Sequence, residues 1–80
     1  MRWKCAVSTI LEFGAFVFRC YSRESLLEPP HIHVIVDRER FGRIDLGTDG
    51  WIGNPPPRAM QAMKLYLRHK AACVSEWNRL

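Results

Sequence analysis

Eighty residues with 12 Lys+Arg against 8 Asp+Glu carry a net charge of +4, and 48% of the chain is apolar. A chain of that length buries only about 60% of the surface its unfolded form exposes, so one sheet with one helix on it is about the limit, and multidomain enzymes and full-size nucleotide-cofactor folds are excluded. With 25% charged residues beside that apolar content, a disordered chain is excluded too.

The apolar run from Cys5 to Phe18 follows Arg2 and Lys4, but Glu12 interrupts it and no small-x-small cleavage site comes after it. It reads as part of the domain rather than a leader, and it falls short of the roughly 20 apolar residues of a membrane span. Val7, Thr9 and Ile10 suit a first strand over about residues 5–12. Phe16, Phe18 and Cys20 alternate with Val17, Arg19 and Tyr21, the period of a half-buried strand over 15–21. Glu12-Phe13-Gly14 connects the two as a hairpin. The polar stretch 22–30 ends in Pro29-Pro30, which bars helical geometry before each proline and predicts a loop.

His31 to Asp37 predicts a third strand and residues 43–46 a fourth, joined by a charged five-residue loop, Arg38 to Gly42. Ile32, Val34 and Val36 then share a face with Ile44 and Leu46, leaving His31, His33, Ile35 and Asp37 on the other with Arg43 and Asp45 beside them. Residues 47–57 hold three glycines and three prolines and predict an ordered loop with a short edge strand at Trp51. A helix follows over about 56–78, with Asn54 as N-cap and Pro55 to Pro57 in its first turn. Met60, Met63, Leu67, Ala71 and Val74, flanked by Ala59, Tyr66 and Trp77, form its apolar stripe, opposite Gln61, Lys64, Arg68, Ser75 and Arg79. The reading is a single α+β domain over 1–80: a small antiparallel sheet of three to five strands in two hairpins, packed by one C-terminal amphipathic helix.

His31 and His33, two apart on a strand, leave the same face about 7 Å apart and can converge on one ligand. As acid and base they suit a phosphodiester, with Arg43 or Arg19 steadying the phosphate, because imidazole titrates near neutrality. With Asp45 or Asp37 as third ligand they could instead hold a divalent metal, the only cofactor these residues suggest. The same pair also fits a packing role, the rings bonded to backbone carbonyls. A third histidine, as in the histidine-triad hydrolases, is missing because Ile35 holds that position. Lys64, Arg68 and Arg79 on the helix and Arg38 and Arg40 at the hairpin are candidates for nucleic-acid phosphates, or else a solvated charged surface. Trp51 and Ile35 are candidates for a partner surface, made by a protein or a second copy of the chain, and a sheet edge offers strand addition as a second route. Cys5, Cys20 and Cys73 have no C-x-x-C pairing and predict reduced thiols in a cytoplasmic protein.

Tyr21-Ser22, then Pro29-Pro30-His31-Ile32-His33-Val34, then Pro57-Arg58-Ala59, and finally His69 with Trp77-Asn78 resemble the small bacterial domain-of-unknown-function 4160 family, over almost the whole chain. P-P-H-x-H-V is the specific part, and the stretch 23–28 departs from the family's pattern by being longer and more charged. The resemblance implies a small α+β domain, one of a toxin–antitoxin or mobile-element gene pair, with a second small domain encoded beside it as a protein partner. It also implies that His31 and His33 are the signature pair and that Arg58 is the arginine at the helix start.

Overall fold

The computed structural model describes residues 7–21 and 29–79; Trp3, Cys5, the first positions predicted for the opening strand and most of the predicted loop 22–30 lie outside them. The elements in chain order are β1 (Val7–Phe13), β2 (Phe16–Tyr21), β3 (His31–Val36), β4 (Arg40–Asp45), β5 (Gly50–Trp51) and α1 (Ala59–Arg79). All strands are antiparallel and lie in the sheet in the order in which they occur in the chain. The expected α+β fold, one sheet with one C-terminal helix on it, is the fold observed.

β2 buries Phe16, Phe18 and Cys20 under the helix and half-buries the residues between them, as its alternation predicts. Central β3 contributes Ile32, Val34 and Val36 to the same core, β4 contributes Ile44 and continues into Leu46, and α1 closes it with Ala62, Leu65, Tyr66 and Cys73. Cys20 and Cys73 are both buried, and burial, then the neighbouring Cys20, pushes the Cys73 thiol up to about 11, so it stays protonated and inert at neutral pH.

In β1 the register shifts between Thr9 and Leu11, with Ile10 as the extra residue. A bulge of this kind reverses the alternation. Ser8, opposite Cys20, therefore shares the helix side with Leu11 and Phe13, which lie opposite Phe18 and Phe16. The hairpin turn is Gly14-Ala15, with Gly14 at φ +58°, and Glu12 and Phe13 belong to the strand.

Three expectations need correction. The β3–β4 loop is shorter than predicted and excludes Gly42: Asp37 and Arg38 both take positive φ (52° and 69°), Glu39 N–H donates to the Val36 carbonyl at 3.3 Å, and β4 resumes at Arg40. Such left-handed pairs match the twist of the strands they join. Gly42 sits inside β4 opposite Val34 because a Cβ there would lie 2.7 Å from Pro56 Cδ and 2.9 Å from Trp51 Cζ3.

The helix begins at Ala59, after the prolines. Pro55 and Pro56 each precede a proline and are pushed out of helical geometry, so no helix can start directly behind Asn54. Arg58, at φ +61°, supplies the carbonyl that accepts from Ala62 N–H at 3.0 Å, and its guanidinium lies 3.6 Å from Asp37.

The buried stripe of α1 runs through Ala62, Leu65, Tyr66 and Cys73, while Met60 is 77% exposed and Leu67 and Ala71 also face out. Tyr66 can be buried because its hydroxyl donates to Asp49 Oδ1 at 2.6 Å, and Lys70 Nζ holds Asp49 Oδ2 at 3.0 Å. The Lys70 bond, then that of Tyr66, holds the Asp49 carboxyl below its usual range. At His69 (φ −117°, ψ 18°) the helix is kinked, which re-aims its last turns, where Glu76 meets Ser8 and Arg79.

Candidate functional site

The pleat of the three central strands sets the site. His33 lies opposite Arg19 on β2 and Arg43 on β4, and His31 lies opposite Asp45. A loop over 38–42 would have set Asp37 against Arg43; the shorter turn moves the pairing by an even number of residues, so every side chain keeps its face but gains a different neighbour. The result is a cross-strand row, Arg19, His33, Arg43, on the face away from the helix. A parallel row, Val17, Ile35, Phe41, runs next to it.

The two histidines are not equivalent. His31 is 1% exposed, with Nδ1 2.8 Å from the Pro29 carbonyl oxygen, and its ring lies 5.1 Å from His33 and 5.5 Å from Trp77 at the helix end. Pro30 is fixed as well, its carbonyl accepting from Leu46 N–H at 2.9 Å. The two prolines thus present carbonyls to a ring and to a strand. His33 is only half-buried, and Tyr21 meets its ring edge-on at 4.5 Å. A cleft of about 220 Å³ is lined by His33, Arg43, Phe41, Gly42, Ile52 and Asn54. His31 is not in that lining, so the acid–base pair expected at two rings becomes one accessible ring backed by a buried one.

Arg19 Nε is buried and, among the described residues, finds no hydrogen-bond acceptor. A buried donor of this sort, beside an imidazole and a second guanidinium, is suited to an anion. Asp45, the expected third metal ligand, turns Oδ1 to the amides of Gly47 (2.7 Å) and Thr48 (3.2 Å), where it forms the turn into β5. Asp37, the other candidate, lies in the β3–β4 turn and pairs with Arg58. Among the described residues no group of three or more His, Cys, Asp or Glu side chains is placed to hold a metal ion.

The partner-surface candidates also change places. Ile35 is 7% exposed, and Trp51 is half-buried, packed on the core and above Gly42. The exposed aromatic of that face is Phe41, at 67%.

The cations separate into groups. Lys64 and Arg68 line a larger groove on the helix side, with Arg58 and Phe13. Arg79 lies beyond the kink and donates to Glu76, whose carboxyl is held down at about 2 by that bond first and by Ser8 second. Arg38 and Arg40 are exposed at the β3–β4 hairpin, which the Arg58–Asp37 pair ties to the start of the helix. Phe41 and Phe13 are the residues that sequence reasoning missed. Phe41 falls in the predicted loop over 38–42, and Phe13 in the predicted hairpin connection, since the alternation of residues 7–13 does not reveal the bulge.

Among the described residues no helix is long and apolar enough to cross a membrane. Compared with protein-family models, with curated proteins and with solved structures, the chain matches none.

Proposed function

We propose that the protein is a small bacterial cytoplasmic module, one half of a toxin–antitoxin or mobile-element pair, that works by binding a protein partner through the sheet face opposite its helix. The observation that carries this reading is Phe41, a large aromatic ring 67% exposed near the start of β4 and in one row with Ile35 and Val17. Arg19 and Arg43 flank that row, and an aromatic anchor with arginines around it is the composition of a binding hot spot. The P-P-H-x-H-V resemblance supports the paired-gene context.

The test is co-expression with the protein encoded beside it, followed by co-purification and titration. The expected result is a stoichiometric complex that Phe41→Asp weakens by roughly 30-fold or more, as loss of a central hot-spot residue does, with the helical and strand signals of the isolated chain unchanged. Sedimentation of the chain alone covers a second copy as partner: a dimer dissociated by the same substitution assigns the face to self-association. Unaltered binding by the Phe41→Asp protein would remove the reading.

A second reading rests on the Arg19–His33–Arg43 row. There His33 would be the acid–base group for a phosphodiester and the two guanidinium groups its phosphate clamp, with His31 positioning His33 from behind. Induced expression in bacteria separates the readings: growth arrest by the native chain and normal growth with an equally abundant His33→Ala variant supports the hydrolase, and normal growth with both supports the binding module.

A further inference from the structure

On the helix side, away from the His33 row, an open groove of about 620 Å³ runs between the β1–β2 hairpin and the first half of α1. Its floor is Phe16 and Leu65, both buried in the core and with little surface left to offer a ligand. Its rim is different. Lys64 and Arg68 stand one helical turn apart on the exposed side of α1, Arg58 stands at the helix start with its guanidinium 3.6 Å from Asp37, and among the described residues no carboxylate lines the groove itself. Opposite them Phe13 is 60% exposed. The bulge at Ile10 is what turns this ring to the helix side.

We infer that this groove binds single-stranded nucleic acid, with Lys64, Arg68 and Arg58 on successive phosphates and Phe13 as the platform for a base. The charge is of one sign on a chain already at +4, which calls for a polyanion. A positively charged groove with an exposed aromatic ring is the working arrangement of sequence-tolerant single-strand binders. Lys64 and Arg68 are about 6 Å apart along the helix axis, a spacing that one extended strand can meet with neighbouring phosphates. An acidic amphipathic peptide fits less well, because a helix laid in a groove needs a run of apolar contacts, and among the described lining residues only Phe13 offers much exposed apolar surface. Gln61, also on the rim, can donate and accept at a base edge. This site is separate from the Phe41 face and does not rest on the partner reading.

The experiment is fluorescence anisotropy on the full chain with labelled oligonucleotides of about 12 nucleotides, oligo-U and oligo-dT, against a duplex of equal length and a poly-glutamate peptide. The inference expects the single strands to bind at least about tenfold more tightly than duplex or peptide, with affinity falling as salt rises. Lys64→Ala/Arg68→Ala should weaken binding by about tenfold or more and flatten the salt dependence by roughly 1.4 in slope, two phosphates' worth. Phe13→Ala should cost about tenfold and Phe13→Trp should restore the binding, since stacking depends on the ring. All these side chains are largely exposed, and circular dichroism verifies that each variant is folded. Preference between oligo-U and oligo-dT assigns RNA or DNA as the source. Equal binding of duplex or poly-glutamate, no binding at low salt, or unchanged binding by the double variant or by Phe13→Ala would overturn the inference.

Discussion

Alanine in place of His31 is expected to lower the stability of the fold by about 2–4 kcal/mol, the range for truncating a fully buried large side chain, whereas alanine in place of His33 should cost under about 1 kcal/mol, as at a half-exposed position. The difference follows from their surroundings. His31 is enclosed between His33 and Trp77 with Nδ1 on the Pro29 carbonyl, so its removal leaves both a cavity and an acceptor without that partner. His33 faces the cleft beside Arg43. Chemical denaturation of the two single variants measures this directly, and equal losses would refute the division into a supporting and a presented ring. A His31/His33 double variant is a poor probe of function, since lost activity could not be told from lost fold.

A methyl group added at Gly42 is expected to cost about 2–3 kcal/mol, the upper part of the range for overpacking a well-filled interior. The new Cβ would be 2.7 Å from the Pro56 ring and 2.9 Å from Trp51, and Pro56 is itself buried and has no rotamer to give way with. The strand cannot move aside either, because Gly42 is paired to Val34 in the central ladder. Gly14→Ala is the comparison: no atom lies within 4 Å of a Cβ there, and only its positive φ opposes the change, so about 1 kcal/mol is expected. Thermal denaturation should rank Gly42→Ala well below Gly14→Ala; the reverse order would mean that the Pro56 contact is not the reason for glycine at position 42.

Much of this fold is legible from period alone. Phe16, Phe18 and Cys20, then Ile32, Val34 and Val36, alternate cleanly, and each set proves to face the helix. What periodicity cannot reveal is a feature held by a distant partner. Tyr66, expected at the flank of the helix stripe, is fully buried with its hydroxyl on Asp49, while Met60 and Leu67, expected within the stripe, face out. Gly42 reads as a turn residue until Pro56 is seen against it. The late start of the helix is legible in the sequence, since the restriction on residues preceding proline holds at 55–57 as it does at Pro29-Pro30. For the site, the face carrying His33 and Arg43 was legible, but their direct opposition was not, because it depends on a turn in which Asp37 and Arg38 adopt the left-handed conformation without a glycine.

The coincidence of sheet order with chain order also bears on how quickly the molecule assembles. Each strand finds its partner in the strand just before it, so no pairing has to wait for a remote part of the chain to arrive. The search reduces to successive strand pairings followed by docking of one C-terminal helix, which keeps sequence separation low within the sheet and leaves the long-range contacts to the helix. Domains of that kind lose little loop entropy before native contacts begin to compensate, and they fold toward the fast end of the range for mixed α and β proteins.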